Sequence, residues 1–165
     1  MYLAIYFYDV VVAVHVAAIV VAFGVTFAYP LIDAQVRRLS PRSLPAWHEI
    51  VATVNAKLTT PAMAVALFAG IYAAQDRHLM GKSWVAVPFA IIFILFGLVG
   101  AFFTPQSRKL ATLAAADVAA APGDGPVTFG AAYEAAYKRV AVVGTVAGLM
   151  VLLAIFFMVT KPGGY

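Results

Sequence analysis

Three histidines and a handful of carboxylates, lysines and hydroxyls are the groups in this chain that could carry chemistry. One of them stands apart. His15 lies within DVVVAVHVAAIVVAFGVTFAYP, where the residues from Val10 to Tyr29 include no formal charge. An imidazole in such a run is costly unless it is bonded, and it normally faces a protein interior. It could serve as an axial ligand to a b-type haem, as a proton-transfer group, or as a neutral ring bonded to a hydroxyl or carbonyl of a neighbouring helix. The other candidates have plainer roles. Asp9 is six residues from His15, about 120° around a helix, so it reads as a solvated helix-end carboxylate. His78, in DRHLMGKSW, reads as a loop residue. His48, in PAWHEI, reads as an interfacial residue beside Trp47, at the opposite face from His15. Lys57, in NAKLTTPA, can snorkel to an interface. Pro61 removes a backbone donor, and the hydroxyls of Thr59 and Thr60 can help satisfy the carbonyl it frees. No nucleophile–base pair, phosphate loop or metal-spaced carboxylate set is present. An enzymatic role is left open.

The elements that must position these groups can be read from composition. Of 165 residues, 64% are hydrophobic and 11% charged, where a soluble domain carries about 25% charged. Mean hydropathy is +0.95. The absence of cysteine rules out disulfides, iron–sulfur clusters, covalently attached c-type haem and thiolate zinc sites. A net charge of +4 does not point to nucleic acid, because the basic residues flank apolar runs, where membrane orientation explains them.

A crossing helix needs about 20 apolar residues, and four segments qualify. The expected fold is all-α: one membrane domain over 1–165, a bundle of four transmembrane helices spanning about 10–29, 50–75, 83–107 and 138–160. The second helix is expected to start near Pro45 or Ala46, with Ser43 as its cap. The third should continue past the bilayer through QSRKLATLAAADVAAA. PGDGP, Pro122 to Pro126, should break it, and FGAAYEAAYKR should lead into the fourth. The first connection carries Arg37, Arg38 and Arg42, and the third carries Arg108, Lys109, Lys138 and Arg139. The other side holds only Arg77, Lys82 and Lys161. The positive-inside rule then places the first and third connections in the cytoplasm and both termini outside. MYLAIYFYD has no basic residue, so the first span reads as retained rather than as a signal peptide.

Small residues mark faces where membrane helices approach one another. His15, Ala18, Ala22, Thr26 and Tyr29 share a stripe about 80° wide on the first helix. Ala62, Ala66, Ala69, Gly70 and Ala73 form a matching face on the second. Gly97 and Gly100 are expected to serve the third helix, and Ala141, Gly144 and Gly148 the fourth. His15 is therefore expected to face the bundle interior, about 7–8 Å below the outer edge at 1.5 Å per residue.

His15 followed by Gly24 and Pro30, with Lys57-Leu-Thr-Thr-Pro61-Ala-Met and then Gly70, resembles a superfamily of small four-helix bacterial membrane proteins. The likeness extends over roughly the first 105 residues. That superfamily includes a domain-of-unknown-function group, the copper-resistance-D-like proteins and the HemJ-type protoporphyrinogen oxidases. In the oxidases the first-span histidine is a haem ligand, which implies the same role for His15. Those enzymes also carry a functional lysine soon after a tryptophan opening the third span. Here Trp84 is followed by Val85, Ala86, Val87 and Pro88, and Lys82 precedes it, which places the chain nearer the uncharacterised group. The resulting expectation is a four-span inner-membrane protein of unknown activity, with binding of haem b through His15 as the sharpest addition to it. Two other readings stand beside it. One is a non-enzymatic subunit packing against a membrane-protein partner or against itself in the lipid bilayer. The other is a small transporter or metal-handling protein, for which Met63, Met80, Met150 and Met158 are too scattered to suggest a copper path.

Overall fold

A computed structural model describes residues 6–123 and 125–164. The chain is all-α, a bundle of four long helices: α1 Phe7–Leu39, α2 Pro41–Asp76, α3 Ser83–Ala120 and α4 Ala131–Thr160. Each is long and apolar enough to cross a membrane. Helices of 30–38 residues exceed the ~20 residues that hydrocarbon requires. The first and third connections, flanked by Arg37, Arg38, Arg42, Lys138 and Arg139, lie at one end, the basic end of the bundle. The opposite, terminal end holds the first and last described residues, Tyr6 and Gly164, and the second connection.

Three of the helices are interrupted, each beside a proline. In α1 the backbone tightens into a 3₁₀ turn at Val25–Phe27, directly after Gly24, and resumes as α-helix at Tyr29 with Pro30 in its first turn. A Cβ at Gly24 would stand 2.6 Å from the Val20 carbonyl oxygen, so the turn requires glycine. In α2 and α3 the helix instead widens into π turns, at Asn55–Thr59 and Leu98–Phe103. A threonine–proline pair follows each. Pro61 and Pro105 lack an N–H and would crowd the carbonyl four residues back, and one extra residue in the turn relieves both problems. Thr60 donates both its N–H and its hydroxyl to the Asn55 carbonyl, the hydroxyl at 2.8 Å. Thr104 does the same to Val99, also at 2.8 Å. The two widened turns pack against each other.

The entrance to α2 differs from the expected one. The chain passes through a 3₁₀ turn at Pro41–Ser43, and α-helix begins at Leu44. Ser43 makes no cap, because its hydroxyl pairs with that of Ser40 at 2.7 Å. The helix α3 ends before Ala121, and α4 starts after Gly130. The break falls where PGDGP was expected to impose it, with Asp124 outside the described residues.

The helices pack in a staggered order. The first part of α1 lies on the second half of α2, the first half of α2 on the second half of α3, and the first half of α3 on α4. A central core joins Ala18, Ala22, Phe23, Met63, Ala66, Leu95 and Val151, among others. A second core, at the basic end, forms around Leu44, Leu110, Ala114, Tyr133 and Ala136. Helices α1 and α4 meet where Gly148 admits the Phe27 ring. They meet again at the basic end, where Arg37 pairs with Glu134.

Candidate functional site

His15 projects from α1 toward α2. Its Nδ1 lies 2.7 Å from the carbonyl oxygen of Ala66. A carbonyl can only accept, so in the neutral ring Nδ1 carries the proton and Nε2 carries the lone pair. Gly70, one turn beyond Ala66, makes room for this contact. A Cβ there would stand 2.9 Å from Cε1 and 3.1 Å from Nδ1 of the imidazole. Ala18 and Ala22, on the same stripe of α1, are both buried against the other helices.

The half-buried imidazole lines a cavity of about 600 Å³ in the half of the bundle nearer the terminal end. Every helix contributes to its wall. Apart from His15, the wall is dominated by Val, Ile, Leu, Ala and aromatic side chains. Met158 brings a thioether, and Tyr8, Trp84 and Lys161 stand toward the terminal end. That end is tied down. Trp84 Nε1 donates to the Gly164 carbonyl at 3.2 Å and Ser83 Oγ to the Pro162 carbonyl at 3.1 Å. The strap 161–164 can turn back this way because Gly163 and Gly164 adopt φ of 95° and 81°. The Lys161 ammonium stands 5.2 Å above the Trp84 ring, and the Arg77 guanidinium 4.3 Å above the Tyr8 ring.

The other expected residues are more dispersed. A Cβ at Gly144 would meet Phe103 at 4.0 Å, and one at Gly148 would meet Phe27 at 3.6 Å. Gly97 and Gly100 are exposed, with open space where a Cβ would be. Gly97 lies just before the π turn at Leu98–Phe103 and Gly100 inside it, and the third helix packs instead through Ile91, Ile92, Leu95 and Val99. Asp9 accepts from the Tyr6 N–H at 3.2 Å, a helix-end role. His78 is an exposed turn residue with φ 54°, and Lys57 is exposed on the π turn of α2.

His48 differs from its interfacial reading. It is 4% exposed, and its Nε2 sits 2.9 Å from the Tyr133 hydroxyl. It belongs to a polar cluster at the basic end, centred on Asp33. The Trp47 indole donates to Asp33 Oδ1 at 3.0 Å, whereas Oδ2 and the buried Tyr29 hydroxyl have no hydrogen-bond partner among the described residues. Arg37, paired with Glu134, lies 5.3–5.8 Å from the ring centres of Phe129, Tyr133 and Tyr137. The four-residue spacing of Tyr29, Asp33 and Arg37, matched by Tyr133 and Tyr137, is the sequence signal for this cluster: each set occupies one helix face. Among the described residues, no three His, Asp or Glu side chains come together as a metal site would need. No family model, curated protein or solved structure matches this chain.

Proposed function

We propose that this is a bacterial inner-membrane protein, both termini outside, that binds b-type haem with His15 as axial ligand. One observation carries the reading: the Nδ1–H of His15 is held by the Ala66 carbonyl, and the ring lines a 600 Å³ apolar cavity. Metal-bound histidines characteristically donate their second N–H to a carbonyl or carboxylate, which fixes the tautomer and aims the other nitrogen. The residues fit a haem in two further respects. The wall is apolar enough to take a macrocycle, and Arg77 and Lys161 stand at the terminal end, where propionates would meet headgroups. Met158, on the same wall, carries a thioether, a group that could also hold a haem iron there. Bound haem would supply one-electron chemistry or ligand sensing. The chain's own part is to hold Nε2 in place, exclude water and anchor the acid groups at the interface.

An absorption spectrum of the purified protein, made with haem supplied, tests this directly. The expected result is a Soret band with b-type bands on reduction, lost in His15→Ala while the protein stays inserted and folded. A colourless unmodified protein would refute the reading.

A further inference from the structure

The cavity that contains His15 is closed at both ends and open along one flank. At the terminal end it is shut by the Tyr8–Arg77 stack and by the strap tied to Ser83 and Trp84. Toward the basic end, Phe23 is buried and the Phe27 ring abuts Gly148, joining α1 to α4. Between these closures, α1 and α4 stand apart. The wall residues that are exposed are Val16 and Val20 on α1 and Ile155 and Val159 on α4, from 44% to 74%. All four are apolar and β-branched. Such side chains have one strongly preferred rotamer in a helix, so rotation about χ1 does not seal the gap. Four such residues would be a poor lip for a hole filled from water, but they match acyl chains.

We infer that the ligand of His15 is a membrane-dissolved planar amphiphile that reaches the cavity sideways from the bilayer, through the flank between Val16–Val20 and Ile155–Val159. The ligand's identity as haem rests on the proposed function; the route rests on the closures and the flank. Moving in the membrane plane, such a molecule keeps its acid groups at headgroup level, where Arg77 and Lys161 lie, while its apolar body slides toward His15. Charge therefore never has to cross hydrocarbon, the step that would cost most.

The absence of native cysteine makes the test clean. Val20→Cys and Ile155→Cys would be labelled with a bulky maleimide, with Val14→Cys and Leu149→Cys as exposed controls off the cavity wall. Hemin uptake and release are then followed by the Soret band, with protein and hemin in separate populations of phosphatidylcholine vesicles. A gate hinders passage in both directions, so the flank labels should slow both rates by about tenfold, a barrier of ~1.4 kcal/mol, and leave Kd unchanged. Control labels should change neither rate, and neither should deletion of residues 162–165. Unchanged rates at the flank, or uptake accelerated by removing the strap, would overturn the route in favour of water. Flank labels that dissociate an oligomer would overturn it too, since the flank would then be a protein contact. A second readout needs no haem. A nitroxide at Ala154→Cys, on the cavity wall, should be relaxed strongly by bilayer-dissolved oxygen and weakly by a water-soluble nickel chelate. The reverse order refutes the lateral route even if the protein proves colourless.

Discussion

Gly70→Ala is the sharpest perturbation of the His15 site, because it adds one methyl group at one defined place. That methyl would stand 2.9 Å from Cε1 and 3.1 Å from Nδ1. Carbon atoms rest comfortably at ~3.5–4.0 Å, so the ring must retreat by roughly 0.6 Å or more. Ala66 and Gly70 are one turn apart on the same face of α2, so retreating from one means retreating from the other. The Nδ1 contact, now 2.7 Å, would stretch past the ~3.2 Å limit of a good hydrogen bond. The cost combines overpacking, about 1–3 kcal/mol, with a lost bond of about 0.5–1.5 kcal/mol. A loss of about 1.5–4.5 kcal/mol is expected, and, on the proposed function, weaker haem retention. Reversible denaturation in mixed micelles measures the stability change. The control is the same substitution in His15→Ala. With the ring gone there is no clash, and alanine is the better helix former by up to ~1 kcal/mol, so the change should be neutral or stabilising. An equal cost in both backgrounds, or no cost in the natural chain, would show that the imidazole does not sit against Gly70.

Further outcomes can be checked independently. A reporter fused after Tyr165 should be active only if it functions outside the cytoplasm; activity of a cytoplasm-only reporter there would reverse the orientation. Gly144 and Gly148 face Phe103 and Phe27 at 4.0 and 3.6 Å, ordinary contact for a Cβ. Single alanines there should be mild, whereas leucine at both should cost about 1–3 kcal/mol by overpacking, read as a lower melting temperature in detergent. At the basic end, Tyr133→Phe leaves buried His48 Nε2 without its 2.9 Å partner and should cost about 1–3 kcal/mol. Glu134→Gln breaks a half-exposed ion pair worth about 1 kcal/mol or less. Denaturant titration should therefore rank Tyr133→Phe as the more damaging, and the opposite order would contradict the burial of His48.

Much of the architecture was legible in the sequence because it stems from one requirement: backbone in hydrocarbon must satisfy itself, and a crossing takes about 20 residues. Composition and four apolar runs were enough for helix number and connection order. The extension of α3 could be read from its alanine-rich tail, and the stop from Pro122. The π turns were not legible as such. Thr60–Pro61 was visible, and a threonine hydroxyl turned back onto the helix was foreseeable. It goes to the Asn55 carbonyl, which the Thr60 N–H also serves, whereas the Thr59 hydroxyl is buried with no partner among the described residues. Whether a helix bends, tightens or widens at a proline depends on what packs beside it, here the other widened turn. That choice moves every residue beyond it by one position around the helix. Gly97 and Gly100, expected as a packing face, point to open space because the contact face of this helix is carried by larger side chains, Ile91, Ile92, Leu95 and Val99.

The candidate site was half legible, for a reason that lies in the imidazole itself. Burial on a small-residue stripe implied a bonded ring, and a bond to a neighbouring backbone carbonyl was one of the readings open to it. That reading and the ligand reading look like alternatives only while the ring is treated as a single group. It has two nitrogens, and Ala66 satisfies one of them. The carbonyl leaves the proton on Nδ1 and so makes Nε2 an acceptor, which no described residue engages as a hydrogen-bond donor. A histidine wanted solely as a tie between helices could be replaced by a serine or threonine hydroxyl, without a second nitrogen left to satisfy. Keeping the larger ring, with Gly70 giving up its side chain to admit it, is accounted for once Nε2 has a partner of its own. The cavity is where that partner would sit. The Asp33 cluster shows the contrast. There His48 meets a tyrosine hydroxyl in a tightly filled core, and Asp33 keeps one oxygen without a partner among the described residues. The buried polar groups His48 and Asp33 at the basic end are enclosed by packing, whereas the half-buried His15, nearer the terminal end, faces space.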